Sequence, residues 1–264
     1  MKKDKLTPMA IGGALAAVLL SMIMDGGSPT TLIKPAPLIL VFGGTIAVSL
    51  AGVLKSEIKG VKAVFKQAMG SAVPDLDAAI ETMVELARAA KASTVLSLEN
   101  EVRDIDDHFL QLGVQLVVDG RNSEEIREIL EGEIEAMEER HRMGAKFFTD
   151  MGGFAPTLGI LGTVIGLVHV LGSLSNPGSL GPAIASAFTA TLWGVLSANV
   201  FWLPIANKLK RISGAEARVK LMQMEGLLAI QAGGSSRIVR TRMETFLPTG
   251  ARGYSYPDRR AEAA

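Results

Sequence analysis

The sequence predicts an all-α membrane protein: four transmembrane helices, a helical cytoplasmic domain between spans two and three, and a helical cytoplasmic tail. Three observations predict it. From Met151 to Asn207 the chain carries no Asp, Glu, Lys or Arg, and the run closes on Lys208, Lys210 and Arg211; it is too long for one crossing of a bilayer and long enough for two. Two shorter uncharged runs, Leu6 to Met24 and about Pro35 to Leu54, come before it. In the polar remainder, apolar residues recur at spacings of three and four, as on helices with one buried stripe.

The first run begins after Lys2, Lys3 and Lys5, which hold its start in the cytoplasm. It has the basic head and apolar body of a signal peptide, but Met22, Ile23, Met24 and Asp25 make a poor small-residue cleavage site. It reads as a retained first span. Asp25 to Thr31 is a short turn, and the second span follows between Lys34 outside and Lys55 inside. Gly43, Gly44, Ala47, Ala51 and Gly52 suit that span to close packing, since lipid gives helices no hydrophobic reason to associate. These boundaries give residues 1–54 as spans one and two, 55–148 as the cytoplasmic helical domain, 149–207 as spans three and four, and 208–264 as the cytoplasmic tail. Lys and Arg near the span ends give an in-out-in-out-in path with both termini cytoplasmic.

Within 55–148, Pro74 opens a helix carrying Leu76, Ile80, Met83, Val84 and Ala87 on one face. A second helix runs through Leu98, Val102, Ile105, Phe109 and Leu112 and ends by Asp119-Gly120. A third starts at Asn122, with Glu125 at capping-box spacing. No strong breaker stands before Gly144, so this helix is expected to continue into span three as one rod to Ser173, roughly 75 Å at the standard rise. Gly152, Gly153 and Pro156 are its possible bends. SLSNPGSLGP, residues 173–182, reads as the turn between spans three and four, with span four from about Gly181 to Ala206. The tail is helical to about Gln231, breaks at Gly233-Gly234, resumes from Ser235 to Leu247, and is expected to be disordered after about 249.

Composition excludes several function classes. With 27 basic and 27 acidic residues, no net field draws the chain to nucleic acid. The sequence has no cysteine, so disulfides, thiolate metal sites and cysteine nucleophiles are out. Neither a Walker loop, a G-x-S-x-G elbow, H-E-x-x-H nor a dinucleotide fingerprint occurs, so no enzyme, cofactor or metal site is expected. His108 and His141 lie on helices among acidic residues, and the acidic stretch Glu124 to Glu139 reads as a solvated face with local ion pairs.

The hairpin is where chemistry concentrates. Gly159, Gly162 or Thr163, and Gly166 share one helical face, as do Ala183, Ala187, Thr191, Gly194 and Ala198. Such stripes serve close helix packing; Thr163, Thr189 and Thr191 also offer hydroxyls as neutral ligands along an ion path. Both readings stay open together. A proton path needs a titratable group near midplane, and the spans offer only His169, near an outer end. If ions cross here, a partner must bring the carboxylate.

The stretch Phe154 to Lys210, and the tail from Gly226 to Pro248, closely resemble the MotA family of flagellar motor stator subunits, and more distantly ExbB and TolQ, which share the hairpin but have three spans. The resemblance implies an inner-membrane homopentamer around MotB-type partners that supply the ion-carrying Asp, with ion flow driving rotation and torque on the rotor protein FliG. It implies that Thr163 and Thr191, with Thr189 beside them, line the ion path, and that Pro156 and Pro204 couple ion flow to movement. In AKASTVLSLENEV it implies that Lys91 and Glu99, flanked by Arg88 and Glu101, form the rotor contact; Lys91 stands where Arg is frequent, which keeps the charge and loses the planar fork. Thr189-Ala190-Thr191 resembles proton-type members. The alternative from another class is an ExbB- or TolQ-like energiser of outer-membrane transport or envelope integrity.

Overall fold

A computed structural model describes residues 6–55, 57, 68, 75–92, 98, 107–172, 174–175 and 177–251. The described residues contain helices and turns and no strand. In chain order the helices are α1 (Leu6–Met24), α2 (Pro35–Ala51), α3 (Leu76–Ala92), α4 (His108–Val118), α5 (Ser123–Gly172), α6 (Pro177–Gln231) and α7 (Ser236–Glu244). Three of them, α1, α5 and α6, are long and apolar enough to cross a membrane, and the apolar α2 is shorter. Two compact units form, one from 73–139 with 213–264 and the other from 2–72 with 140–212.

The first unit is held by stripes that the periodicity predicts. Ile80, Met83, Val84 and Ala87 of α3, Val114 and Val117 of α4, Ile126, Leu130 and Ile134 of α5, Met222 and Leu227 of α6 and Met243 of α7 share one buried core. Polar ties sit at its edge. Arg127 donates to Glu225 Oε1 at 2.9 Å, and that bond, ahead of the opposing effect of burial, raises the guanidinium further above the usual arginine range. Arg240 of α7 donates to both carboxylate oxygens of Glu81 on α3, at 2.7 and 2.9 Å.

Helix ends follow from local chemistry. Asn122 Oδ1 accepts from the backbone N–H of Glu125 at 2.9 Å, as the capping spacing predicts. Gly233, at φ +72°, turns the chain out of α6, a conformation that costs glycine little, and Ser235 then accepts from Ile238 N–H to start α7. Two expectations are corrected. The helix expected to run from Leu98 through Leu112 does not cross Asp107, which is extended (φ −139°, ψ 103°) and caps α4 by accepting from Phe109 N–H at 3.0 Å. Likewise α6 begins at Pro177, inside the stretch 173–182 expected as the turn, because proline at the first helical position presets φ, and the helix carries Pro182 within it.

In the second unit, α2 and α6 each contain a π-helical turn, Ile39–Gly43 and Ala198–Trp202. Otherwise α6 runs unbroken from Pro177 to Gln231, and α5 is continuous from Ser123 to Gly172 with Pro156 inside it. Phe147, Phe148, Met151, Ile205, Ala206 and Leu209 form this unit's apolar cluster. Lys2, Lys3, Lys5, Pro74, Glu99, Glu101, Val102, Ile105, Ser173 and the tail from 252 lie outside the described residues.

Candidate ion-path site in the charge-free hairpin

Small residues let α5 and α6 meet backbone to backbone. A Cβ on Gly159 would sit 2.9 Å from the Ala190 carbonyl oxygen, and one on Gly194 would sit 2.6 Å from that of Ala155. No real Cβ occupies such a position without the helices moving apart. Both stripes read from the sequence therefore face each other.

At this contact lies a cluster of neutral oxygens. Thr163 Oγ1 and Thr191 Oγ1 share a short hydrogen bond across the two helices. Each also lies within bonding reach of the Gly159 carbonyl, at 3.1 Å from Thr163 and 3.2 Å from Thr191, while Thr163 is 3.4 Å from the Ala187 carbonyl. Two hydroxyl protons serve this group: one lies between the threonines and the other goes to a carbonyl. Two hydroxyl and two carbonyl oxygens thus converge without a formal charge, an arrangement that can accept a cation or pass a proton only beside a charge brought from elsewhere. Thr189 stands apart: it is buried and donates to its own helix at Ala185 O, 2.7 Å away.

The prolines flank the same seam. Pro156 follows Ala155, whose carbonyl faces Gly194, and Pro204 follows Leu203, whose side chain fills the space a Cβ on Gly152 would need. Pro204 also stands two residues after the π-helical turn. His169 is exposed. Among the described residues no cluster of His, Cys, Asp or Glu could hold a metal ion. Of the residues expected to form the rotor contact, Arg88 and Lys91 are exposed on α3, and Glu99 and Glu101 lie outside the described residues.

Sequence reasoning missed an aromatic set. The Phe42 ring on α2 lies edge-on to Trp193 and Trp202 of α6, with centroids 5.7 and 6.4 Å away, and Trp193 Nε1 donates to Leu32 O at 2.8 Å. The signal available was the isolated placement of both tryptophans in the fourth apolar run.

Comparison with known proteins gives the family. The profile of the MotA/TolQ/ExbB proton channel family matches residues 101–223. Motility protein A of Bacillus subtilis (strain 168) is 37% identical over 249 residues, covering 93% of this chain and 91% of that protein. The chain belongs to the MotA family. Chemotaxis protein PomA of Vibrio alginolyticus is 32% identical over 94% of the chain and 97% of that protein. Among solved structures, the flagellar MotAB stator complex from Bacillus subtilis matches at a TM-score of 0.86 and 36% identity, over 93% of this chain and 97% of that one. MotAB of C. jejuni matches at 0.89 and 27% identity, over 96% and 99%. MotA membership makes the flagellar-stator reading the main one and sets aside the ExbB or TolQ alternative.

Proposed function

We propose that this MotA-family stator subunit spans the inner membrane four times, with both termini cytoplasmic, and couples proton flow to torque. It forms a homopentamer around a MotB-type partner, whose Asp is the only ionisable group on the ion path. The observation that carries this reading is the seam of α5 and α6: closely packed, charge-free, and holding the Thr163, Thr191 and Gly159 oxygens together. Neutral oxygens of this kind solvate a passing charge and leave its carrier to a second chain. The similar MotAB complexes support such a partner.

The short α2 serves as the second span. Its apolar helix reaches from Pro35 to Ala51 and lies within the range of lengths that cross with flanking residues at the interface. Thr189 neighbours the path, and Pro156 and Pro204 let the inner ends of spans three and four bend as the partner's carboxylate changes charge. Arg88, Lys91, Glu99 and Glu101 face FliG. The chain makes and breaks no covalent bond and needs no cofactor, so it is not an enzyme. Swimming speed measured against external sodium and against a protonophore tests the ion: speed should be indifferent to sodium and collapse with the protonophore. A dependence on sodium with tolerance of the protonophore would refute the proton assignment.

A further inference from the structure

Three polar atoms in the second unit are buried without a hydrogen-bond partner among the described residues: Thr45 Oγ1, Ser49 Oγ and Trp202 Nε1. Thr45 is 0% exposed and Ser49 3%. Hydroxyls in helices usually return to a carbonyl of the preceding turn, and others in this unit do so. Thr149 donates to Ala145 O at 3.0 Å, Thr189 to Ala185 O at 2.7 Å and Ser197 to Gly194 O at 3.2 Å. Thr45 and Ser49 do not. The two indoles differ in the same way, since Trp193 has its carbonyl acceptor and Trp202 has none.

Phe42, Thr45 and Ser49 fall on one face of α2 by their spacing, and Val53 follows two residues after that helix ends. At one end of that face the Phe42 ring meets Trp202; at the other, Val53 packs on the same Phe147, Phe148 and Met151 cluster that Trp202 packs on. In sequence the two hydroxyls stand between Phe42 and Val53. Trp202 also closes the π-helical turn, and Pro204, two residues later, has no N–H to return to the carbonyls of residues 199 or 200. One backbone carbonyl of this turn therefore loses a donor, in the same turn as an indole N–H that has no acceptor.

We propose that Thr45, Ser49 and Trp202 enclose a buried water site between α2 and α6, in which ordered water accepts from the indole N–H and exchanges hydrogen bonds with both hydroxyls. An internal water typically makes about three hydrogen bonds, and these residues offer three polar partners. The ligand is neutral water and not a cation, because the indole contributes a donor and no carboxylate stands on this face of α2. Its place beside the π-helical turn lets the Pro204 region change its hydrogen bonding without exposing a bare polar group to the apolar surroundings.

The sign of a stability change tests this. In a dry site, Thr45→Val removes a stranded hydroxyl at nearly constant volume and leaves the melting temperature unchanged or raised; in a wet site it strands the water and the indole and lowers it. The purified, assembled complex carrying Thr45→Val or Ser49→Ala should melt about 2–4 °C lower, and the loss should vanish in a Trp202→Phe background. A high-resolution density map of the unaltered complex should place a solvent peak within hydrogen-bond distance of Trp202 Nε1 and one of the hydroxyls. Unchanged or raised melting, additive effects in the double variants, or a direct indole-to-hydroxyl bond with no solvent peak would each overturn the proposal.

Discussion

At the scale of single residues, Thr163 and Thr191 do two things at once, and their chemistry separates them. As packing groups they fill a seam already fixed by Gly159 and Gly194, whose Cα atoms lie close enough that an added Cβ on either meets backbone. As oxygens they bond each other and the Gly159 carbonyl. Replacing either with Val keeps the shape and deletes the hydroxyl, at a cost in stability of about 1 kcal/mol per hydrogen bond. That is too little to disperse a seam built on backbone contact. Thr163→Val and Thr191→Val should therefore assemble normally while ion flux falls roughly tenfold, the rate equivalent of about 1.4 kcal/mol lost along the path. Complex yield after purification and flux into proteoliposomes read the two effects separately; full flux in both variants would leave the hydroxyls with packing alone. Thr189→Val, which removes a bond internal to α6, should disturb flux less than either.

Among the elements, α4 shows most directly how a local cap governs a larger surface. Asp107 starts the helix by accepting from Phe109 N–H, and its second oxygen lies 3.4 Å from Gln223 Nε2. Lys220 stands 3.7 Å from the same carboxylate and 4.5 Å from the centre of the Phe109 ring. Asp107→Ala should cost about 1 kcal/mol through the cap alone, and Asp107→Ser, which keeps a capping oxygen without the charge, should recover most of it. Thermal melts of the two variants compare them: equal losses would assign the effect to Lys220 and Gln223 instead of the cap. This break at Asp107 was hidden in the sequence because apolar residues keep helical spacing across it, from Leu98 through Phe109 to Leu112; periodicity records which residues go inward and not where the backbone turns. The Asn122 cap and the Gly233 turn were legible because each depends on one residue's own chemistry. The π-helical turns were not, since nothing local to Ile39–Gly43 or Ala198–Trp202 demands an extra residue per turn. For the candidate site, spacing identified the facing stripes, but only the register of α5 against α6 brings Thr163 onto Thr191 and leaves Thr189 aside.

For the whole molecule, the decisive quantity is what the membrane-facing part lacks. No residue of α1 is buried, and α5 and α6 expose Ile160, Val164, Val168, Phe188 and Leu192 to whatever surrounds them. Apolar surface of this extent needs lipid or other chains. From Met151 to Asn207 the chain carries no Asp, Glu, Lys or Arg, and its converging oxygens are neutral. Moving a bare cation through such a seam leaves the charge poorly solvated at midplane, a cost of several kcal/mol that hydroxyls and carbonyls offset only in part. A carboxylate beside them changes the balance, because it attracts the cation and can itself carry a proton across the apolar layer. Liposomes holding this polypeptide alone should therefore show proton flux at the level of empty vesicles under an imposed pH gradient. Reconstitution with a partner helix bearing an Asp should raise flux well above that level, and Asp→Asn in the partner should return it. Sustained flux through the chain alone would place the ion-carrying group within it, with His169 the first residue to substitute. Flux dependent on the partner's carboxylate would instead define the hairpin's missing charge as the complement of a group held by another chain.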